Sequence, residues 1–152
     1  AIIAEEVGVL KDSMDPTLSD SDRLLALKNP YAKMMPARGD IVVIEPGNGT
    51  IAIKRVIAVC GDQVFIAQGR VVLNRKLLNE DYLKDPMQIE WPYGPYGVPK
   101  DHVYVLGDNR NHSEDSRDYG PVKYENVTGL VVYRIWPLRK LRYFGRGSGK
   151  GS

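Results

Sequence analysis

Short apolar runs broken by turn residues set the pattern along this chain. Arg23-Leu24-Leu25-Ala26-Leu27 stands between Ser19-Asp20-Ser21-Asp22 and Asn29-Pro30, and Ile41-Val42-Val43-Ile44 between a loop from Pro36 to Asp40 and Pro46-Gly47. Apolar runs of this length, closed by Pro, Gly, Asn or Asp, predict strands, although a short helix also fits the first. Thr50 to Val59 is the longest β-rich run. Its apolar positions Ile51, Ile53 and then Val56 change parity, which predicts a strand with a bulge or bend near Lys54. Val64-Phe65-Ile66-Ala67 and Val71-Val72-Leu73, joined through Gln68-Gly69, have the pattern of a hairpin whose glycine supplies a positive φ. Val103 to Leu106 and Gly129 to Trp136 complete the strands. Val7 and Val9 suggest an extended approach to Ser13, and Pro16 forbids a helix through that segment.

No convincing helix appears, so the expected fold class is mainly β: compact coiled antiparallel β-sheets with a β-rich insertion. Residues 1–61 and 101–144 form the expected core, and 62–100 an inserted smaller β-rich subdomain. Lys76 to Pro99, rich in Pro, Gly and Tyr, reads there as an irregular surface excursion. At 145–152 Gly alternates with Ser, Arg and Lys and nothing can be buried, the composition of a flexible tail or linker.

Composition narrows the function classes. The 152 residues suffice for one domain with a core, or one domain with an insertion. A net charge of +2 argues for no nucleic-acid partner, and the basic residues from Arg134 to Arg146 could face a membrane surface or plain water. Cys60 stands alone, which excludes an intramolecular disulfide and a cysteine metal cluster. His102 and His112 sit in loop-like surroundings, so a zinc site is not expected. Asn-X-Ser/Thr triplets at Asn48, Asn111 and Asn126 are of a kind that chance produces often. No stretch approaches the ~20 apolar residues that cross a bilayer.

The chemistry-bearing stretch is Gly107-Asp108-Asn109-Arg110-Asn111-His112-Ser113-Glu114-Asp115-Ser116-Arg117, a polar run entered directly from Val103-Tyr104-Val105-Leu106. It is either a solvated loop or a wired polar site. A serine such as Ser13 needs a base within hydrogen-bond reach to act as a nucleophile. His112 with Asp115 would complete one scheme. Lys54 offers another, because burial among Ile51, Ile53, Val56 and Ile57 would favour its neutral amine. Taken alone, Lys54 fits an edge-strand charge in water and Ser13 a turn residue.

Ser13-Met14-Asp15-Pro16-Thr17-Leu18, then Arg38-Gly39-Asp40-Ile41-Val42-Val43, then Ile53-Lys54-Arg55-Val56-Ile57 with Gly61-Asp62, then the polar run follow one another in sequence. This order resembles the type I signal peptidases, membrane-bound Ser/Lys serine proteases. The likeness spans Val7 to Gly120; its first and last motifs are specific, and the middle two would be weak alone. It implies a β fold shared with SOS repressors, Ser13 as nucleophile, Lys54 as general base, Ser113 as the residue orienting the lysine amine, and no metal or cofactor. Asp115 and Arg117 match a salt-bridged pair, and Asp108 and Arg110 further members of the site's scaffold. The backbone N-H of Ser13 is the expected oxyanion donor. Relatives commonly carry Gly or Ser two residues before the nucleophile. Lys11 stands there with a backbone read as unexceptional, so no second donor is assigned. After the base, Ala58-Val59-Cys60 replaces the usual Gly-Leu/Val-Pro, which alters the turn into the insertion.

The resemblance also implies an extended substrate, the signal peptide of a secretory preprotein, added to an exposed edge at Val7 to Lys11 or Thr50 to Ile53. Val7, Val9, Met14, Leu18, Val43, Ile51 and Ile53 are the expected substrate-binding residues, their apolar pockets suiting alanine-like side chains; core packing is the competing reading for Val43 and Leu18. A membrane surface is the other expected partner. The chain then reads as the soluble catalytic part of a protein anchored in the plasma membrane, acting on its outer side. Two alternatives remain at this point: a self-cleaving Ser/Lys regulator of the SOS-repressor type, which lacks the polar run, and a catalytically inactive β module that binds extended peptides.

Overall fold

In the computed structural model, residues 2–47, 49–88 and 92–146 are described; Asn48, the first residue of its triplet, and residues 147–152 of the expected tail lie outside them. The strands are β1 (Ala4–Gly8), β2 (Arg23–Lys28), β3 (Ile41–Ile44), β4 (Ala52–Ala58), β5 (Gln63–Ala67) and β6 (Arg70–Leu73). They continue with β7 (Lys76–Leu77), β8 (Tyr93–Gly97), β9 (His102–Leu106), β10 (Val122–Lys123), β11 (Val127–Trp136) and β12 (Arg142–Tyr143). One helical turn, α1 (Ser116–Tyr119), follows the polar run. The fold is mainly β, as the alternation of apolar runs and turns requires.

Among the described residues the strands form two antiparallel sheets. The larger runs in the order β1-β2-β11-β3-β4-β9-β10, with β12 paired to β11; the smaller runs β7-β6-β5-β8. β4 is thus an interior strand, with Lys54 opposite Val42 of β3. The register shift lies between Val56 and Ala58, where β4 meets β9, just past the lysine. It lets the strand coil out of the larger sheet and feed β5.

The two sheets share apolar contacts. Ile57, Ala58, Tyr104 and Leu106 of β4 and β9 pack with Val64, Ile66, Val71 and Leu73 of the hairpin. The hairpin turn has both Gln68 (φ 52°) and Gly69 (φ 73°) left-handed, which matches the twist of its strands. A Cβ on Gly69 would stand 2.6 Å from the Met87 carbonyl oxygen, so the turn is pressed against the chain that follows.

Five elements escape the sequence pattern. β7 is two residues long, and β8, Tyr93-Gly-Pro-Tyr-Gly, has no apolar alternation; it is tolerated because it lies at a sheet edge, paired on one side with β5. β10 and β12 are also two-residue edge pairings. The helical turn α1 is announced by a capping box, in which the Asp115 carboxylate and the Asp118 side chain bond each other's backbone ends, rather than by any periodicity. The basic stretch from Arg134 is partly tied inward: Arg134 donates to the Thr17 and Lys140 carbonyls at 2.9 and 2.8 Å. Arg146, inside the expected flexible tail, donates to the Asp40 carboxylate at 3.1 Å and to the Met35 carbonyl at 2.5 Å.

Candidate active site

Ser13 lies in the turns that follow β1, a segment fastened to the polar run residue by residue. Asn109 donates its backbone N-H to the Ser13 carbonyl at 2.9 Å and its side-chain amide to the Asp12 carbonyl at 3.1 Å. Asp108 N-H points at the Met14 sulfur at 3.4 Å, and the Thr17 hydroxyl donates to the Asp108 carboxylate at 2.5 Å. Gly107 is where the pieces meet. A Cβ there would stand 2.1 Å from Ser113 Oγ and 2.7 Å from the Ser13 carbonyl oxygen, so only glycine allows the two serines to close on one α-carbon.

Lys54 reaches this junction from β4 and is only 2% exposed. Its Nζ donates to Ser113 Oγ at 3.0 Å, and Ser113 donates onward to the Asp115 carboxylate at 2.8 Å. Burial pushes the Lys54 amine below its usual value; the negative charge of Asp115 partly offsets this, and Arg117 adds to the lowering. Asp115 has no spare capacity. It accepts from Arg117 Nε and Nη2, both at 2.9 Å, from Gly107 N-H at 3.0 Å and from Ser113. Burial alone would raise this carboxyl, but the Arg117 hydrogen bonds and charge, with Gly107 and Ser113, hold it below the usual carboxylate range. None of these donors is His112. That residue is exposed and lines a polar cavity of about 240 Å³ with Asp12, Asp15 and Asn109.

Asp108 and Arg110, expected together in the scaffold, do not pair with each other. Asp108 is gripped by Arg55, Nε to Oδ1 at 2.9 Å and Nη2 to Oδ2 at 2.8 Å. Arg110 donates to the Gly107 carbonyl at 2.8 Å and forks onto Glu80 at 3.1 and 2.5 Å. Arg55, Glu80 and Thr17 are site-building residues that sequence reasoning missed. Only Arg55 left a trace: a second cation inside an apolar strand needs a buried partner.

The apolar candidates gather unevenly. Val9, Met14, Leu18, Val43 and Ile53 share one cluster with Val7 at its margin, but Leu18 is 0% and Met14 1% exposed, so both sit in the core. Ile51 is 69% exposed, precedes β4 and belongs to no cluster. Lys11 is not unexceptional: its φ is +67°, a region that favours glycine, and its N-H is taken by the Asp20 carboxylate at 2.9 Å.

The chain is similar to several known proteins. The probable signal peptidase I-2 of Synechocystis sp. is 41% identical over 146 residues, which cover 91% of this chain and 66% of that protein. Signal peptidase I of Leptolyngbya laminosa is 40% identical over 152 residues, covering 94% of this chain and 74% of the relative. Thylakoidal processing peptidase 1 of Arabidopsis thaliana, a chloroplast protein, is 36% identical, and the chain spans 44% of its length. Among solved structures, a signal peptidase I from Enterococcus faecalis superposes with a TM-score of 0.56 at 31% identity, over 64% of this chain and 97% of that one. The family described as Signal peptidase, peptidase S26 matches residues 1–136, nearly the whole described fold, and the chain belongs to that family.

Proposed function

We propose that this chain is a serine endopeptidase that removes N-terminal signal peptides from exported preproteins, through an acyl-enzyme on Ser13 with Lys54 as general base. Membership in the signal peptidase family supports the reaction. The observation that carries the mechanism is the buried Lys54 amine, lowered in basicity by its surroundings and held by Ser113. Neutral Lys54 takes the proton of the Ser13 hydroxyl as its oxygen attacks the scissile carbonyl. The Ser13 N-H faces the developing oxyanion. The lysine ammonium then protonates the leaving amine, and water releases the acyl group by the same route reversed. Asp115 and Arg117 keep Ser113 in place, and Asp108 and Arg110 hold the bend at Gly107.

The substrate lies extended along the free edge of β1, where Val7 is half-buried at the margin of the apolar cluster that contains Val9. Ile53 and Val43 form the floor of a small apolar site on that side, with residues 62–100 a smaller subdomain behind it. Exposed Trp136, Leu138, Leu141 and Tyr143, beside Arg139 and Lys140, suit contact with the headgroups of a membrane on its outer face. No helix among the described residues is long and apolar enough to cross a membrane.

The test is cleavage of a signal-bearing precursor in detergent. Ser13→Ala and Lys54→Ala should each reduce the rate by about 100-fold or more, with cleavage after a small residue in the wild type. Full cleavage by Lys54→Ala together with loss in His112→Ala would overturn the dyad in favour of a histidine base.

A further inference from the structure

The site loop is held from outside by two residues of the excursion between β7 and β8. Glu80 receives both Nη groups of Arg110, whose side chain is fully buried and whose Nε is spent on the Gly107 carbonyl. Tyr82 donates its hydroxyl to Glu80 at 2.5 Å and lays its ring under the Arg55 guanidinium, 3.8 Å from the ring centre. Arg55 in turn grips Asp108. Glu80 and Tyr82 therefore act on Gly107 and Asp108 through two arginines at once. Those two residues are the ones whose backbone N-H groups meet the Asp115 carboxylate and the Met14 sulfur.

We infer that Glu80 and Tyr82 are positioning residues for the Ser/Lys reaction, setting the bend at Gly107-Asp108 that seats Ser113 against Lys54 and the Ser13 segment against the polar run. The inference rests on the Ser/Lys reading proposed above. The physical reason is burial. A fully buried Arg110 without Glu80 would be an unpaired cation that must find water, and moving it drags the Gly107 carbonyl. Gly107 has no slack, since its α-carbon is packed between Ser113 and the Ser13 carbonyl. Tyr82 supplies the other half. Arg55 Nη1 has no hydrogen-bond partner among the described residues, and the aromatic face is what this guanidinium rests on. Burial and the neighbouring Glu80 raise the Tyr82 hydroxyl well above its usual value, so it remains a donor to that carboxylate.

Glu80→Gln and the milder Tyr82→Phe, which keeps the ring and removes only the hydroxyl, test this in the whole chain. A loosened bend admits water to Lys54, so its basicity climbs back. In Glu80→Gln, kcat should fall about tenfold to a hundredfold with KM within about twofold, and the rising limb of the pH profile should move to higher pH. Tyr82→Phe should show the same changes, smaller. Amide hydrogen exchange across Gly107 to Arg117 should quicken in both while the β5–β6 hairpin keeps wild-type protection. Wild-type kcat, or a lower kcat with the pH limb unmoved, would overturn the inference, as would unchanged exchange in the loop. The exchange readout is independent of turnover. Full cleavage by Lys54→Ala would sink the dyad itself, whereas quickened exchange alone would leave the loop's dependence on Glu80 standing.

Discussion

Two adjacent residues of β4, Lys54 and Arg55, leave the strand on opposite sides, and each is 2% exposed. Both began as cations that had to leave water. Arg55 was given a carboxylate of its own, a bidentate pair with Asp108 reinforced by Thr17 and Tyr82. Lys54 received a hydroxyl, and the carboxylate that hydroxyl donates to, Asp115, is already paired with Arg117. On the Ser/Lys reading proposed above, the difference separates a scaffold from a reactive group. A buried guanidinium, which proteins do not deprotonate, must be paired; a buried amine can shed its proton instead, and then it is a base.

The sharpest way to break this contrast is to make the same substitution on both sides. Arg55→Met leaves Asp108 buried with the Thr17 hydroxyl as its one remaining side-chain donor among the described residues, and should destabilise the fold by about 3–5 kcal/mol. Denaturant melts would measure it. Pairing it with Asp108→Leu should restore most of the loss, because removing both charges removes the stranded one. If Arg55→Met alone is near neutral, the two faces are not different in the way proposed.

A smaller effect is expected from Ser113→Ala. The Lys54 amine loses its acceptor at 3.0 Å, while Asp115 retains Arg117 and Gly107. kcat should fall about tenfold with KM preserved, and stability should change by no more than about 1.5 kcal/mol. A large stability loss with unaltered turnover per folded molecule would mean that Ser113 belongs with Arg55's scaffold and not with the base.

Much of this contrast was legible before any coordinates. Ile53, Val56 and Ile57 around Lys54 pointed to a buried amine, although the lysine alone fitted an edge-strand charge, and the hairpin at Gln68-Gly69 followed from its turn chemistry. The partners were not legible, because pairing is a long-range fact. Asp108 lies 53 positions from Arg55, and Glu80 sits in a stretch whose Pro and Gly content signals only a lack of regular structure. The same limit explains the apolar candidates. Periodicity marks Leu18 and Met14 as apolar, but whether a side chain faces a groove or the core depends on what folds over it, and here both are covered. The strain at Lys11 was hidden for another reason: a lysine gives no hint of a left-handed backbone that its neighbours impose.

The most delicate prediction concerns Lys54→Met, the partner of the Arg55 substitution, with the opposite sign. The amine's folded value is lowered from 10.5 by burial, so the unfolded chain holds that proton more tightly than the native one. Stability therefore rises with pH through the window between the lowered native value and 10.5, where the unfolded state binds the extra proton. Below that window both states are protonated, and the whole cost of burying the cation is present. Methionine fills a similar volume without that cost. Lys54→Met should be inactive yet more stable than wild type by about 0.5–2 kcal/mol under acidic to neutral conditions. The gap should close as pH approaches 10.5, and it is the difference between the two melting curves, in which every other titrating group cancels, that measures it. A gap that stayed constant with pH, or a variant less stable than wild type at neutral pH, would mean that Lys54 gains more from Ser113 and Asp115 than burial takes away. It would then be held as firmly as Arg55, and an amine so held would be a poor base.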